Sequence, residues 1–187
     1  MNNKEIFTKI YNTNHWGSKE SVSGPGSEEI QTRKLRYALP KLITKFNIKT
    51  ILDAPCGDFN WMNILKIYNY VDFYYGYDIV DKIIHDNVIK YSNIKKLEFK
   101  CNDIAYCILP KVDLIICRDC LVHLCLNDIL LVIKNFVKTK SKYLLVTNYH
   151  NVTSNCDTSN GHWRPINLQL SPFNLGKPIL SIDDEYT

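Results

Sequence analysis

Five apolar runs in this sequence each end on a polar side chain, and these residues are the ones best suited to hold a ligand. They are Asp53, Asp78, Asp103, Asp119 and Asn148. The carboxyl ends of parallel strands meet at one edge of a sheet, which is where ligands bind in open α/β proteins. Carboxylate and amide oxygens at that edge accept hydrogen bonds from hydroxyl and amine groups. We therefore expect one ligand site built from these strand ends.

The turn after the first apolar run carries a single glycine. It reads Pro55-Cys56-Gly57-Asp58, and apolar side chains then recur at helical spacing from Trp61 onward. A strand, a sharp turn and the start of a helix place backbone N–H groups against a bound ligand. A nicotinamide dinucleotide site needs three glycines with G-x-G-x-x-G spacing, so this turn disfavours that cofactor. The sequence contains no Walker A motif either, which disfavours phosphoryl transfer.

Strand-like runs alternate with helical patterns along most of the chain. They predict strands at 51–53, 71–77, 97–101, 112–117 and 143–146, and helices beginning at Ser27, near Asp81 and at Asn127 or Asp128. Continuous apolar strands that alternate with helices are typical of a parallel sheet covered on both faces. We predict an α/β fold, a Rossmann-like three-layer sandwich with a mostly parallel central sheet. Alternating residues at 166–170 and 178–182 predict an additional antiparallel C-terminal hairpin.

The length of 187 residues suits a single domain spanning residues 1–187. We expect an N-terminal helix and lid segment at 1–27, a cofactor-binding core at 28–148, and a substrate loop with the C-terminal hairpin at 149–187. The stretch from Asn14 to Ser27 is polar and turn-prone, so it is either a flexible linker or a lid over a ligand. The adjacent His15 and Trp16 favour the lid.

Charge and hydrophobicity narrow the class of partner. The net charge is +4, and the lysines are spread along the chain, whereas a dedicated nucleic-acid binder concentrates its basic residues on one surface. No window approaches the roughly 18 apolar residues of a membrane span, and no signal-peptide core follows Met1. We expect a cytoplasmic protein that acts on a small-molecule acceptor, without membrane or nucleic-acid partners. The oligomeric state stays open.

The seven cysteines are expected to be mainly buried thiols in a reducing compartment. Four residues have the elements of a metal site: Cys117, Cys120, His123 and Cys125. Four ligands within nine residues that begin inside a buried strand could not converge tetrahedrally on zinc without distorting the strand and the helix after it. We therefore expect no metal.

The segment from Asp53 to Asp58 resembles motif I of the class I S-adenosylmethionine-dependent methyltransferases. In that family an acidic residue precedes a glycine-rich turn, and here Pro55 stands where a first glycine is common. Asp78 matches the acidic residue that holds the ribose hydroxyls, and Asp103 with Ile104 matches the pair that binds adenine. The resemblance runs over about residues 28–148 and implies S-adenosylmethionine as the cofactor.

The resemblance and the predicted lid together assign the residues of the site. Those expected to bind the cofactor are Trp16, Asp53, Pro55, Cys56, Gly57, Asp58, Trp61, Asp78, Ile79, Asp103, Ile104 and Arg118. The segment from Trp16 to Ser27 and the element from Gly161 to Pro165 also resemble a small bacterial and viral subgroup of this family. Loops at the ligand edge of a sheet commonly contact substrate, so we assign substrate binding to His150, His162, Trp163 and Arg164.

Asp119 and His123 are the candidate catalytic residues. They lie four residues apart after the fourth predicted strand, where the family often carries a Leu-x-His element. If the chain is helical there, both side chains share one face. His123, oriented by Asp119, would then act as the general base that deprotonates a hydroxyl acceptor. The equally open alternative is that His123 is a packing residue and that Asp119 caps a helix.

These features predict a methyltransferase, EC 2.1.1.-, that O-methylates a small hydroxylated acceptor such as a sugar or sugar nucleotide. One alternative is an RNA or protein methyltransferase, which would show a basic, open groove beside the methyl group. The other is a catalytically silent module that only binds S-adenosylmethionine.

Overall fold

A central parallel sheet carries the strand ends predicted above. The structure is a computed structural model, and it describes residues 1–183, within which five strands form the sheet. The strands are β1 (Thr50–Asp53), β2 (Phe73–Asp78), β3 (Leu97–Cys101), β4 (Leu114–Cys117) and β5 (Tyr143–Val146). Their order is β3-β2-β1-β4-β5, and each neighbouring pair is parallel. The prediction of a Rossmann-like parallel sheet is therefore confirmed.

The direction in which strands are added to the sheet reverses beside β1. The chain first builds outward from β1 to β3, then crosses back to β4 and continues to β5. At such a point the connections leave the sheet in opposite directions and open a crevice at the carboxyl ends of the strands. Asp53 is in register with Gly76 of β2 and Ile116 of β4, so its carboxylate lies at this crevice.

Helices cover both faces of the sheet. Those described are α1 (Asn3–Asn12), α2 (Arg33–Lys45), α3 (Asn60–Leu65), α4 (Asp81–Lys90) and α5 (Leu126–Lys138). One buried apolar cluster joins α2, α3 and α4 to the sheet, and a second cluster joins α5 and residues 166–173 to it. Apolar contacts on both faces produce the predicted three layers. None of the helices within residues 1–183 has the length and apolar character needed to cross a membrane.

The predicted antiparallel C-terminal hairpin is wrong. Residues 166–170 and 178–182 form no strand, and the sheet is parallel throughout the described chain. The alternating pattern has another cause: Ile166 and Leu168 are fully buried in the cluster under α5. Their backbone groups bond to the segment after β5 instead, since the Tyr149 N–H donates to the Ile166 carbonyl and the Leu168 N–H donates to Asn148 Oδ1.

Two helix starts also differ from the prediction. The helix expected to begin at Ser27 begins at Arg33, and Pro25–Ser27 forms a short 3-10 turn. The acidic residues expected in its first turn instead bind the preceding segment: Glu28 accepts from the Ser18 hydroxyl, and the Glu29 N–H donates to Glu20. The last helix is capped by Cys125, ahead of the expected Asn127 or Asp128.

Candidate active site

A cavity of about 1090 Å³, including its solvent-open part, lies at the carboxyl edge of the sheet. Its wall contains the predicted residues at the ends of β1 to β4.

The turn after β1 brings backbone close to the neighbouring strand. Gly57 has a φ of +53°, and its N–H donates to Asp78 Oδ2 over 3.1 Å. The Cys56 N–H donates to the carbonyl of Tyr77, so the turn is tied to β2 at two successive residues. The buried side chain of Asn87, from α4, donates to the Gly57 carbonyl over 2.8 Å. Pro55, Cys56, Gly57 and Trp61 all line the cavity, as expected for a cofactor turn.

Asp53 is a buried carboxylate in the cavity wall. It is 2% exposed, and it accepts a hydrogen bond of 2.6 Å from the Tyr74 hydroxyl. Burial raises the pKa of Asp53 to about 7, the Tyr74 hydrogen bond lowers it, and the charge of Asp78 raises it further. A carboxyl with this pKa is partly protonated at neutral pH and gains from a nearby positive charge.

Asp78 is the last residue of β2, and its carboxylate binds the turn after β1 and the segment before α4. Its Oδ2 accepts from the Gly57 N–H, and its Oδ1 accepts from the Val80 N–H over 2.9 Å. Burial raises the pKa of Asp78 to about 6, although its backbone hydrogen bonds act in the opposite direction. A carboxylate oxygen has two lone pairs, so each oxygen can accept one further hydrogen bond from a ligand. Ile79, the next residue, also lines the cavity.

The buried carboxyls predict an unusual dependence of stability on pH. The pKa of Asp53 in the folded state lies above its ordinary value of 3.8, so a protonated Asp53 favours the folded state. This contribution to the free energy of unfolding is fully present below pH 3.8. The contribution is lost as pH rises through about 7. We expect the free energy of unfolding to fall by about 3 kcal/mol between pH 5 and pH 8 from this residue. Urea titrations of wild-type protein and Asp53→Asn measure it, and parallel pH profiles for the two would contradict the assignment.

The end of β3 contributes Asp103 and Ile104 to the cavity wall. One oxygen of Asp103 accepts from the Ala105 N–H over 2.9 Å, which fixes the carboxylate at the edge. No described residue accepts a hydrogen bond from the Ile104 N–H. An acceptor and a donor on successive residues match the pattern expected for the edge of an adenine ring.

Asp58, predicted to bind the cofactor, fastens the N-terminal segment instead of lining the cavity. Its carboxylate accepts from the hydroxyls of Ser21 and Ser23 and from the Val22 N–H, while its own N–H donates to the Ser23 hydroxyl. A second tie comes from Asn60, whose side-chain amide donates to Glu20 and to the Ser27 carbonyl. Residues 20–27 are thereby held against the turn after β1.

The end of β4 brings together Trp16, Arg118, Asp119 and His123, which all line the cavity. The rings of Trp16 and His123 are stacked at a tilt, with centroids 5.1 Å apart. Among the described residues, no hydrogen bond joins Asp119 to His123. Asp119 accepts from the Thr147 hydroxyl and forms an ion pair of 2.9 Å with Arg118. The chain is not α-helical here, since Asp119 has a φ of +49° and only Leu121–His123 form a 3-10 turn.

His123 is a neutral imidazole at pH 7. Burial lowers its pKa to about 4, the Arg164 guanidinium lowers it further, and a hydrogen bond with the His162 backbone raises it. Its Nδ1 atom is buried and has no hydrogen-bond partner among the described residues. A neutral imidazole can accept or donate one hydrogen bond, but at this pKa it is a weaker base than a free histidine.

The residues assigned to substrate binding after β5 lie outside the cavity wall. His150, His162 and Trp163 are exposed. Arg164 braces the turn that carries His123: its guanidinium donates to the carbonyls of Leu121, Val122 and Leu124.

Helix α1 supplies wall residues that were not predicted. Asn3, Phe7 and Tyr11 line the cavity together with Asp128 from α5. The sequence does show Phe7 and Tyr11 on one apolar helical stripe, but the stripe does not reveal that it faces a ligand. Within the described chain, no group of three or more His, Cys, Asp or Glu side chains could hold a metal ion.

Several methyltransferases of known structure are similar to this chain. No protein-family model matches the sequence, and no curated protein sequence matches it. The magnesium protoporphyrin IX methyltransferase of Synechocystis PCC 6803 with bound SAM is 16% identical, with a TM-score of 0.57, over 81% of this chain and 78% of its own. The DhpI–SAM–HEP complex is 13% identical, with a TM-score of 0.58, over 79% and 67%. The methyltransferase domain of bacterial CtHen1 is 16% identical, with a TM-score of 0.55, over 65% and 72%.

At sequence identities this low, the similarity concerns the fold alone. It agrees with the strand order of the sheet and with the cavity beside β1 and β4, where the strand order reverses. The chain has the fold of the class I S-adenosylmethionine-dependent methyltransferases.

Proposed function

We propose that this protein binds S-adenosylmethionine and transfers its methyl group to a small acceptor. One observation carries the proposal: Asp53, Asp78 and Asp103, from three adjacent strands, line one cavity beside the Gly57 turn. The two solved structures with bound SAM named above support the choice of cofactor.

The donor and acceptor groups of the wall fit this cofactor. Asp78 keeps a lone pair on each oxygen for a ribose diol, and Asp103 with Ile104 offers the acceptor and donor that an adenine edge needs. Burial raises the pKa of Asp53, and its carboxylate would gain from the ammonium group in the methionine part of the cofactor.

The protein's own residues would position the acceptor and shield it. S-adenosylmethionine supplies an electrophilic methyl group on its sulfonium. The chain would hold an acceptor atom in line with that group and keep water away, which lowers the barrier mainly through orientation. His123 lines the cavity and would orient the acceptor's hydroxyl or amine. Its low pKa favours this orienting role over that of a strong base.

The cover over the cavity favours a small acceptor over RNA or protein. We propose that residues 14–27 act as a lid, because Asp58 and Asn60 tie them to the turn after β1 and Trp16 stacks on His123. A polynucleotide would need an open basic groove beside the methyl group. A hydroxylated small molecule remains the acceptor type that the neutral His123 suits best.

Calorimetry with S-adenosylhomocysteine tests the cofactor proposal directly. We expect binding with a micromolar or tighter Kd, and equal binding to His123→Ala, because His123 lies at the end of β4 rather than at the ribose or adenine contacts. Transfer of labelled methyl from S-adenosylmethionine to a panel of small hydroxylated molecules should be slowed in His123→Ala. Absence of binding to the wild-type protein would refute the proposal. Binding without transfer to any acceptor would indicate a module that only binds the cofactor. Label that appears only in RNA or protein would refute the proposal of a small acceptor.

A further inference from the structure

The cavity has a second half that the proposed cofactor contacts leave free. The N-terminal turn of helix α1 contacts both α4 and α5: Lys4 pairs with Asp81 over 2.7 Å, and Asn3 donates to Asp128 over 2.8 Å. Phe7 and Tyr11 of this helix line the cavity. Trp16, His123 and the first turns of α5 also belong to its wall.

This half of the cavity is largely aromatic. Phe7 and Tyr11 come from α1, and Trp16 adds an indole stacked on His123. Aromatic rings offer large apolar faces that pack best against a flat partner, such as a ring or the apolar face of a sugar.

The charges around the cavity are mostly negative. The described wall contains five aspartates, namely Asp53, Asp78, Asp103, Asp119 and Asp128, of which Asp53 is only partly ionised at neutral pH. Arg118 is the one wall residue of the described chain with a fixed positive charge, and it is engaged: it pairs with Asp119 and donates to the Gly26 carbonyl over 2.7 Å. His123 adds no charge at neutral pH because burial lowers its pKa.

The start of α5 next to this half already binds polar groups of the chain. The Leu126 N–H donates to Asp157, and the Cys125 N–H donates to Asn160. A phosphate or carboxylate placed here would meet the carboxylate of Asp128 in the wall and would lose its hydration without gaining an unpaired cation in return.

Resting on the proposed function, we infer that the acceptor is a small molecule with a flat apolar face and no negative charge, either neutral or cationic. The half-site formed by Phe7, Tyr11, Trp16 and His123 holds it. This narrows the acceptor expected from the sequence, because it removes the sugar nucleotides, whose diphosphate is anionic, and retains uncharged sugars and amines.

A matched series of probes tests this inference with protein saturated by S-adenosylhomocysteine. Tyramine, tyrosol and 4-hydroxyphenylacetate share one phenol body and carry a positive, a neutral and a negative side chain; UDP-glucose represents the sugar nucleotides. By ligand-observed NMR titration we expect tyramine and tyrosol to bind about tenfold or more tightly than 4-hydroxyphenylacetate, and UDP-glucose not to compete with them.

Tyr11→Ala should weaken tyramine binding at least about fivefold and leave S-adenosylhomocysteine binding unchanged. Tyr37→Ala, on the exposed surface of α2, should change neither affinity.

The outcomes separate the two proposals. If S-adenosylhomocysteine does not bind, the proposed function fails before the probes are used. If it binds but the anionic probes match or exceed tyramine, or none of the probes binds, the inference about the acceptor is overturned and the cofactor site stands. Equal effects of Tyr11→Ala and Tyr37→Ala would overturn the placement of the acceptor beside α1.

Discussion

Replacing Asp78 with alanine is expected to abolish measurable binding of S-adenosylhomocysteine. The carboxylate would accept both ribose hydroxyls, and it also holds the N–H groups of Gly57 and Val80 in place. Each lost hydrogen bond to a charged group is worth about 1.5–3 kcal/mol, so two such bonds correspond to a Kd at least about 100-fold higher. Calorimetry at pH 7.5, above the pKa of about 6, measures the loss with Asp78 ionised.

Two further variants show whether the effect is specific. Asp78→Asn retains one acceptor oxygen and nearly the same shape, so it should fold and bind with an intermediate affinity. Asp86→Ala removes an aspartate that pairs with Lys82 on the exposed surface of α4, and its binding should match wild type. Wild-type affinity in Asp78→Ala would place the ribose elsewhere in the cavity.

Gly57→Ala is the second substitution for which we expect a large effect. A Cβ at this position would lie 2.1 Å from Ser23 Oγ and 2.9 Å from Ser23 Cβ, so either the turn or the N-terminal segment must move. The positive φ of Gly57 adds about 1 kcal/mol of backbone strain. We expect the free energy of unfolding to fall by about 2–4 kcal/mol and the Kd for S-adenosylhomocysteine to rise about tenfold or more.

Gly17→Ala is the matched control for this prediction. Gly17 also has a positive φ, but a Cβ there meets no atom within 4 Å, so it shares the strain without the collision. Adding Ser23→Gly to Gly57→Ala removes the colliding atoms and should recover part of the lost affinity. A Gly57→Ala protein that behaves like Gly17→Ala would mean that the contact with Ser23 has no influence on the turn.

The parallel sheet and its polar strand ends were predictable because each is encoded locally. A buried parallel strand reads as one continuous apolar run, and the residue that ends it faces the shared edge whatever the distant contacts are. For that reason Asp53, Asp78 and Asp103 could be assigned to one site before the strand order was known.

The prediction of a C-terminal hairpin failed because it depends on contacts between distant segments. The alternation at 166–170 suggested a strand, but it arises because Ile166 and Leu168 pack under α5. The partners of Arg164 are also distant, since its guanidinium donates to backbone carbonyls some forty positions away, such as that of Leu124. A pattern within a few residues carries no information on such partners.

Asn160 and Gly161 join two parts of the acceptor half-site that are distant in sequence. The side chain of Asn160 donates to both Asn3 and Asp128, and the Gly161 N–H donates to the His123 carbonyl over 2.8 Å. Arg164 completes the link from the same loop by binding the carbonyls around His123. Helix α1, this loop and the His123 turn thus behave as one mechanical unit: α1 cannot swing away from the sheet without breaking these bonds or carrying the imidazole with it.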